Sequence, residues 1–294
     1  MQNNSEVGAR VSAGDKLTVP QKERRRALTV PREHGAWGML LIPLLTGGAV
    51  GHFDGGRLLP VLLLTLAVLG LFWLRTPVES LLGTGAVRVQ TEQERQTVLP
   101  VLLPLATVTT LVLSVLFWQG NYRDLIGLGL IAGAAFVSQI WWRKSGRATR
   151  MASEVVGALA LTSTAPAAYC VATGRLDARA WILWLVNWLF AADQVHFVWL
   201  RLRGTRVQGF RKRLDLGWSF LAGNLVLVGI LVLACRLNFL PAIALVAFLP
   251  VVSRGLLWFV QKPKPIVVRR LGWTELAHAL VFGVLLTAGL GFIG

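Results

Sequence analysis

The sequence predicts an all-α membrane protein with nine transmembrane helices. Hydrophobic residues make up 54% of the 294 residues, charged residues make up 15%, and the mean hydropathy is +0.60. A soluble domain carries about 25% charged residues. Apolar runs recur along the chain, and a run of about 20 residues crosses the hydrocarbon core of a bilayer as a helix. These observations exclude a soluble globular fold.

The nine predicted spans follow a polar, basic segment. The composition of residues 1–30 predicts a disordered cytoplasmic arm, and residues 31–294 are predicted to form a single transmembrane domain. The first span is short, contains Pro43, and has glycines at 47, 48 and 51 that permit close helix packing. The predicted spans are 35–52, 58–74, 98–118, 122–142, 152–173, 180–200, 214–235, 238–258 and 273–293.

The basic residues alternate between the two sides of the membrane. Of the 30 Lys and Arg residues, 25 lie in the N-terminal arm and the segments on its side, and 5 lie opposite. This asymmetry predicts a cytoplasmic N-terminus and an outside C-terminus. Because the charges lie between apolar spans, the net charge of +16 indicates contact with anionic membrane lipid rather than with nucleic acid.

The sixth span carries the strongest candidate site. It contains Asn187, Asp193, Gln194 and His196 within an otherwise apolar run. A carboxylate at the centre of a membrane helix costs about 2.5–3.5 kcal/mol on insertion scales and often marks function. Asn187, Gln194 and Arg201 share one helix face, and Asp193 and His196 form an adjacent one. This polar wedge must meet other helices or a water-filled cavity, so a purely structural polar cluster is the alternative to a site.

Other polar residues near the span ends have simpler interpretations. Glu154, Asp215 and Glu275 open predicted helices, where the helix dipole favours an acidic residue without any further function. The basic residues after the fourth span either hold a phosphate or serve as topology signals. Cys170 and Cys235 lie near the same end of their helices and form either a disulfide or two small core residues.

The residues that enter the first span are the second candidate site. Arg32, Glu33 and His34 precede Gly35, which allows close approach of the backbone. The stretch PREHGAWGMLLIPLL resembles the opening of the YwiC-like family of bacterial integral membrane proteins. That resemblance implies a multi-pass protein of the bacterial cytoplasmic membrane and gives no established activity.

The broader layout resembles the UbiA superfamily of intramembrane prenyltransferases. GTGAVRVQTEQERQTV is similar to the segment after the first Asp-rich motif of those enzymes, and FVSQIWWRKSGRATRMASEVVGALA is similar to their junction between helices four and five. The resemblance implies a nine-helix bundle with a cavity that faces the cytoplasm. It also implies Mg²⁺ and a prenyl diphosphate, held by acidic clusters at the ends of helices two and six.

The sequence departs from that pattern at both acidic clusters. The first position reads RTPVESLL, with Glu79 as its one carboxylate, and the second keeps Asp193 but is followed by Arg201 and Arg203. Because Mg²⁺ commonly takes one or two carboxylates per ion, Asp193 and Glu79 would hold one ion at most. Arg75, Arg201 and Arg203 would instead neutralise a phosphate directly.

Three functions are therefore open. The first is a divergent UbiA-like protein that binds an isoprenoid or another anionic-headed lipid at the cytoplasmic face. There Asp193, Glu79 and His196 are the catalytic candidates if prenyl or alkyl transfer occurs, and Asn187 and Gln194 belong to the lipid site. The second is a proton-coupled transporter in which Asp193 and His196 exchange the proton. The third is a non-catalytic membrane subunit.

Overall fold

The computed structural model describes residues 19–31, 34–85, 87–120, 123–144, 146, 149–207, 209–261 and 267–291. Its regular elements within those ranges are helical. The α-helices are α1 (Val19–Thr29), α2 (His34–Phe53), α3 (Leu58–Leu81), α4 (Glu92–Gln119), α5 (Arg123–Lys144), α6 (Arg150–Thr162), α7 (Thr164–Thr173), α8 (Ala178–Arg203), α9 (Phe210–Arg236), α10 (Leu249–Val260) and α11 (Val268–Gly291). Two 3₁₀ segments, Gly204–Arg206 and Ala242–Phe248, follow α8 and precede α10.

Eight stretches among the described residues are long and apolar enough to cross a membrane. They are Gly35–Phe53, Leu58–Leu81, Glu92–Gln119, Arg123–Trp142, Arg150–Thr173, Phe210–Arg236, Ala242–Val260 and Arg269–Gly291. The remaining predicted span forms α8, whose 26 residues are long enough to cross a bilayer. It does not belong to the eight because its polar side chains lower its mean hydropathy. The all-α membrane fold is confirmed, and the count of nine spans and the orientation stay predictions.

The first of two compact units comprises Met1–Arg32 and Phe72–Ala106. In it, Val19–Thr29 is helical, although the sequence predicts that residues 1–30 are disordered. Its KERRRAL run contains strong helix formers, and tertiary contacts hold the helix end. The Trp73 indole donates to the Thr29 carbonyl at 2.9 Å, and Ser80 donates to the carbonyl of the fully buried Leu28 at 3.2 Å.

The Arg24 guanidinium of α1 pairs with Glu94 at the start of α4. Its Nη2 also donates to Glu94 Oε2 at 3.3 Å and to the Arg88 carbonyl at 3.2 Å. The hydrogen bond to Glu94 raises the pKa of Arg24 above its usual value. Burial acts in the opposite direction and is the smaller effect. The pair joins the N-terminal helix to the α4 segment of the same unit.

The second unit comprises Glu33–Leu71 and Thr107–Gly294. Its α2 crosses α7 with almost no side chain between them. A Cβ at Gly47 would overlap with the Ala165 carbonyl oxygen, and one at Gly51 would lie 2.7 Å from the Ala172 Cβ. The predicted role of these glycines in close packing is therefore confirmed.

The main apolar core of the second unit lies between α2, α8, α11 and the Ala242–Phe248 segment. Phe190 stacks on Phe282 with ring centroids 3.9 Å apart, and Phe248 meets the same ring edge-on at 5.1 Å. Cys170 and Cys235 do not form a disulfide; both are free. The core fixes α8 against α11, and the polar residues of α8 lie next to it.

A polar cluster joins the helix ends of this unit. We call Asp54, Tyr169, Asp177 and Arg179 the helix-end cluster. The Tyr169 hydroxyl donates to Asp54 Oδ2 at 2.8 Å and lies 3.3 Å from Asp177 Oδ2. Asp177 caps α8 by accepting from the amides of Arg179 and Ala180, at 3.0 and 3.2 Å. The Arg179 guanidinium pairs with Asp54 at 3.3 Å and donates to the Leu290 carbonyl at 2.8 Å.

Candidate functional site

The polar residues of α8 are buried inside the second unit. Asn187, Asp193 and Gln194 are 1%, 6% and 5% exposed. At 1.5 Å per residue, Asp193 lies about 15 Å from the end of α8 at Arg203. Unsatisfied polar groups at such a position cost several kcal/mol each, so their partners decide what the site can do.

Asp193 meets two neighbouring helices. Asn224 of α9 donates its Nδ2 to Asp193 Oδ1 at 3.0 Å, and to the Phe220 carbonyl at 3.2 Å. Arg254 of α10 places its Nη2 3.5 Å from Asp193 Oδ2. That distance makes an ion pair but not a hydrogen bond, so the second oxygen of Asp193 is held only loosely.

Arg254 binds a second carboxylate more closely. Its Nη1 donates to Glu275 Oε2 of α11, and its guanidinium lies 4.0 Å from the centroid of the Phe197 ring. The side chains of Arg254 and Glu275 are each 12% exposed. We call Asp193, Asn224, Arg254 and Glu275 the charge network. It brings together four helices through one guanidinium and two carboxylates.

Several atoms of the charge network lack a hydrogen bond. Among the described residues, Asp193 Oδ2, Asn224 Oδ1, and the Nε and Nη2 of Arg254 are buried without a hydrogen bond. Most buried polar atoms in proteins are satisfied, so each exception calls for a physical explanation, of which a functional role is one. Four such atoms on three adjoining side chains distinguish this network from an ordinary structural polar contact.

Gln194 and Asn187 face other helices. Gln194 Nε2 donates to the Glu275 carbonyl at 2.9 Å, which ties α8 to α11 beside the charge network. Asn187 Nδ2 donates to Thr46 Oγ1 of α2 at 3.2 Å and to the Leu183 carbonyl at 2.9 Å. Both predicted binding residues are thus used in contacts between helices.

His196 lies away from the charge network. Its Nε2 is 3.2 Å from Ser219 Oγ, and its ring meets Phe220 edge-on at 5.4 Å. Ser219 is exposed, so His196 points towards the surface of the bundle. The partners of Asp193 in the structure are Asn224 and Arg254, and no contact joins Asp193 to His196 among those of the described residues.

The predicted phosphate-binding arginines have separate surroundings. Arg203 is exposed and lies 4.9 Å from the Trp199 ring centroid, and the Nε of Arg201 is buried without a hydrogen bond. Arg75 of the first unit pairs with Glu79 one helical turn further on, at 2.8 Å. Of the N-terminal candidates, Arg32 and Glu33 lie outside the described residues, as does the side chain of His34.

Asp193 and Glu79, the two carboxylates predicted to bind Mg²⁺, each contact an arginine among the described residues. In the described part of the chain, no group of three or more His, Cys, Asp or Glu side chains is placed to hold a metal ion. Asp193 is engaged by Asn224 and Arg254, whereas Glu79 is engaged by Arg75 in the other compact unit. Mg²⁺ binds through oxygen ligands, and a guanidinium at each carboxylate is the wrong donor set for it. The tentative metal role of Asp193 and Glu79 has no support from this geometry.

The site includes residues that the sequence did not place in it. Arg254, Asn224 and Glu275 complete the charge network, and the 4% exposed Arg213 donates to the carbonyls of Trp258, at 2.9 Å, and Gln261. Arg254 lies within the predicted span 238–258, where an arginine in an apolar run is itself a functional signal. Glu275 had been interpreted as a favourable residue at a helix start.

An apolar cleft of about 530 Å³ runs between α2 and α11. Glycines of α11 allow side chains of α2 to approach closely beside it, since a Cβ at Gly283 would lie 2.8 Å from Ile42 and one at Gly291 would overlap with Phe53. Ile42 also borders a smaller space beside Asn187 and Gln194. The cleft is lined by Ile42, Leu45, Thr46, Ala49, Phe53, Leu280, Gly283, Val284, Thr287, Ala288 and Gly291.

A family model matches the first part of the described membrane domain. Residues 30–169 match the model described as YwiC-like protein. Over these residues the chain is similar to the YwiC-like family. No curated protein and no solved structure matches the chain.

The YwiC-like segment contains the predicted entry motif and runs from α2 into α7. It includes the α2 side of the apolar cleft and ends before α8. The charge network, from Asp193 to Glu275, therefore lies outside the matched residues. The match supports a YwiC-like integral membrane protein, and the likeness to UbiA enzymes has no support from the comparisons.

Proposed function

We propose that the chain is a YwiC-like membrane protein and that it binds a membrane lipid with a long apolar chain, such as an isoprenoid with an anionic head. The observation that carries the proposal is the apolar cleft between α2 and α11. Its volume of about 530 Å³ lies within the range of small-molecule sites, roughly 300–1,000 Å³. Apart from Thr46 and Thr287 its lining is apolar, which suits a hydrocarbon chain.

The polar face of α8 would orient such a lipid in the cleft. Thr46 lines the cleft and accepts a hydrogen bond from Asn187, and Ile42 borders both the cleft and the smaller space beside Gln194. A chain in the cleft would thus place its polar end towards α8. The buried, unpartnered Nε of Arg201 is a further donor of α8 that would interact with an anionic head.

We place the head at the cytoplasmic side of the bacterial membrane. This placement rests on nine spans, with α8 as the sixth, and on the predicted cytoplasmic N-terminus. It follows the UbiA-like layout, but without the magnesium chemistry of that superfamily. Transfer of a prenyl or alkyl group is therefore not part of the proposal.

Thermal unfolding of the detergent-purified protein tests lipid binding. Farnesyl, geranylgeranyl and longer polyprenyl diphosphates would be added, each with and without Mg²⁺. A ligand at 100 times its dissociation constant stabilises the native state by about 2.7 kcal/mol. We expect a shift in unfolding temperature that grows with chain length and does not require Mg²⁺. The free alcohols of the same chains separate recognition of the chain from recognition of the head.

Two tryptophan variants make this test specific to the cleft. Ala288→Trp fills the cleft and is expected to abolish the shift, whereas Ala134→Trp changes an exposed alanine of α5 outside it and should keep the shift. Equal shifts in both variants would place the ligand elsewhere. The absence of any shift in folded protein would reject lipid binding and favour the second candidate, a proton-coupled transporter. The charge network is the observation that favours that candidate.

A further inference from the structure

The charge network carries an unbalanced charge inside the membrane domain. Asp193 and Glu275 each bring one negative charge, and Arg254 brings one positive charge. The network therefore has a net charge of −1 when both carboxyl groups are ionised. Burying an unpaired charge is expensive enough that a group usually takes up a proton instead.

The contacts decide which carboxylate lacks a counter-charge. Arg254 donates directly to Glu275, whereas its Nη2 lies 3.5 Å from Asp193 Oδ2 without a hydrogen bond. Glu275 and Arg254 thus form the matched pair. Asp193 is the group left without a full partner.

The neighbours of Asp193 supply no second cation. The charged groups that act on it are Arg254 from α10 and Glu275 from α11, and α9 contributes the neutral amide of Asn224. On α8 itself, His196 turns to Ser219 of α9. The charge of Asp193 is therefore not balanced by another described side chain in contact with it.

We propose that Asp193 is a reversible proton-binding site that uses Asn224 as its hydrogen-bond partner. The carboxylate takes one proton from water onto Oδ2 and becomes a neutral carboxyl group, which brings the net charge of the network to zero. Oδ2 then has a hydrogen to donate, and Asn224 Oδ1 is the unpartnered acceptor on the amide already bonded to Asp193 Oδ1. One proton would satisfy two buried oxygens.

The orientation of the Asn224 amide supports this arrangement. Its nitrogen donates both to Asp193 Oδ1 and to the Phe220 carbonyl, so a flipped amide would place its oxygen against two acceptors. The amide oxygen is therefore the group left free to accept. The Asn224 amide would donate to Asp193 Oδ1, and the protonated Asp193 Oδ2 would donate to the Asn224 amide oxygen. These two hydrogen bonds would satisfy both side chains without water.

Infrared spectroscopy of the full chain in detergent tests the site. The C=O stretch of a protonated carboxyl group is followed as the pH is raised. The expected result is a carboxyl band that is present at neutral pH and disappears at high pH in the native protein, and that is missing at neutral pH in Asp193→Asn. Asp193→Glu should restore a titrating band, which separates proton binding from a merely structural role.

Two further variants test which carboxylate affects proton binding by Asp193. Glu275→Gln removes the carboxylate that competes with Asp193 for Arg254. Arg254 then balances the charge of an ionised Asp193, so the carboxyl band should be absent at neutral pH. Asp177→Asn, in the helix-end cluster, should leave the band unchanged. Unfolding temperature and circular dichroism confirm that each variant is folded. A band that persists in Asp193→Asn, or a native protein without a titrating band, would overturn the proposal, as would a band that depends on Na⁺ rather than on pH. None of these results depends on whether the cleft binds lipid.

Discussion

The helix-end cluster and the charge network contain the same charges but differ in how those charges are satisfied. Each has two carboxylates and one arginine: Asp54, Asp177 and Arg179 in one, and Asp193, Glu275 and Arg254 in the other. No side-chain atom of the helix-end cluster is buried without a hydrogen bond, whereas the charge network has four such atoms among the described residues. The same net charge therefore has different consequences at the two places.

The backbone explains the difference. Asp177 accepts from two free amides at the start of α8, and Arg179 donates to the Leu290 carbonyl near the end of α11. Helix ends provide unpaired donors and acceptors together with a favourable dipole. The charge network lies within its helices, where the backbone groups already bond to one another. Side chains alone must satisfy it, and one carboxylate remains without a full partner.

Removal of the central arginine should produce the largest effect. Arg254→Leu leaves the Glu275 carboxylate buried without a cation beside the carboxyl group of Asp193, which is expected to cost about 3–5 kcal/mol of unfolding free energy. Thermal and denaturant unfolding in detergent would measure it. The triple variant Arg254→Leu, Asp193→Asn, Glu275→Gln has no charge left to compensate and should recover most of the loss. If the single variant is as stable as the native protein, the guanidinium does not compensate these carboxylates.

Loss of the tyrosine hydroxyl should have an intermediate effect on the helix-end cluster. Tyr169→Phe keeps the ring but removes the donor to Asp54, and hydrogen bonds to charged groups contribute about 1.5–3 kcal/mol. The same unfolding measurement applies. The pH dependence of the carboxyl infrared band should not change in this variant. A change in that band would mean that the two polar regions are coupled.

Neutralising one carboxylate at a helix end should have the smallest effect. Asp177→Asn retains an oxygen that caps α8, and Asn is as good a capping residue as Asp. We expect a change of less than about 1 kcal/mol in the unfolding free energy. Asp177→Ala, which removes the cap, is the matched control and should cost about 0.5–2 kcal/mol. Equal losses in the two variants would show that the charge, rather than the cap, stabilises this end of α8.

Asp193 was predictable from the sequence, but its partners were not. A carboxylate in an apolar run is conspicuous wherever the chain folds. Arg254 looked like one of the basic residues that set the topology, and Glu275 looked like a favoured residue at a helix start. Asn224 lies 31 residues from Asp193 and the Glu275 carbonyl lies 81 residues from Gln194, so no local spacing connects them. The packing of α8 against α9, α10 and α11 brings these residues together.

The YwiC-like opening, the apolar spans, the close-packing glycines of α2 and the buried acid of α8 are all properties of local sequence. They follow from the cost of placing polar groups in lipid and from the small size of glycine. The tertiary structure alone decided that Arg254 would pair with Glu275 and leave Asp193 to Asn224, and that a cleft would open between α2 and α11. Charge balance and cavities depend on which helix faces meet, and that is determined by packing over the whole unit rather than by any one segment.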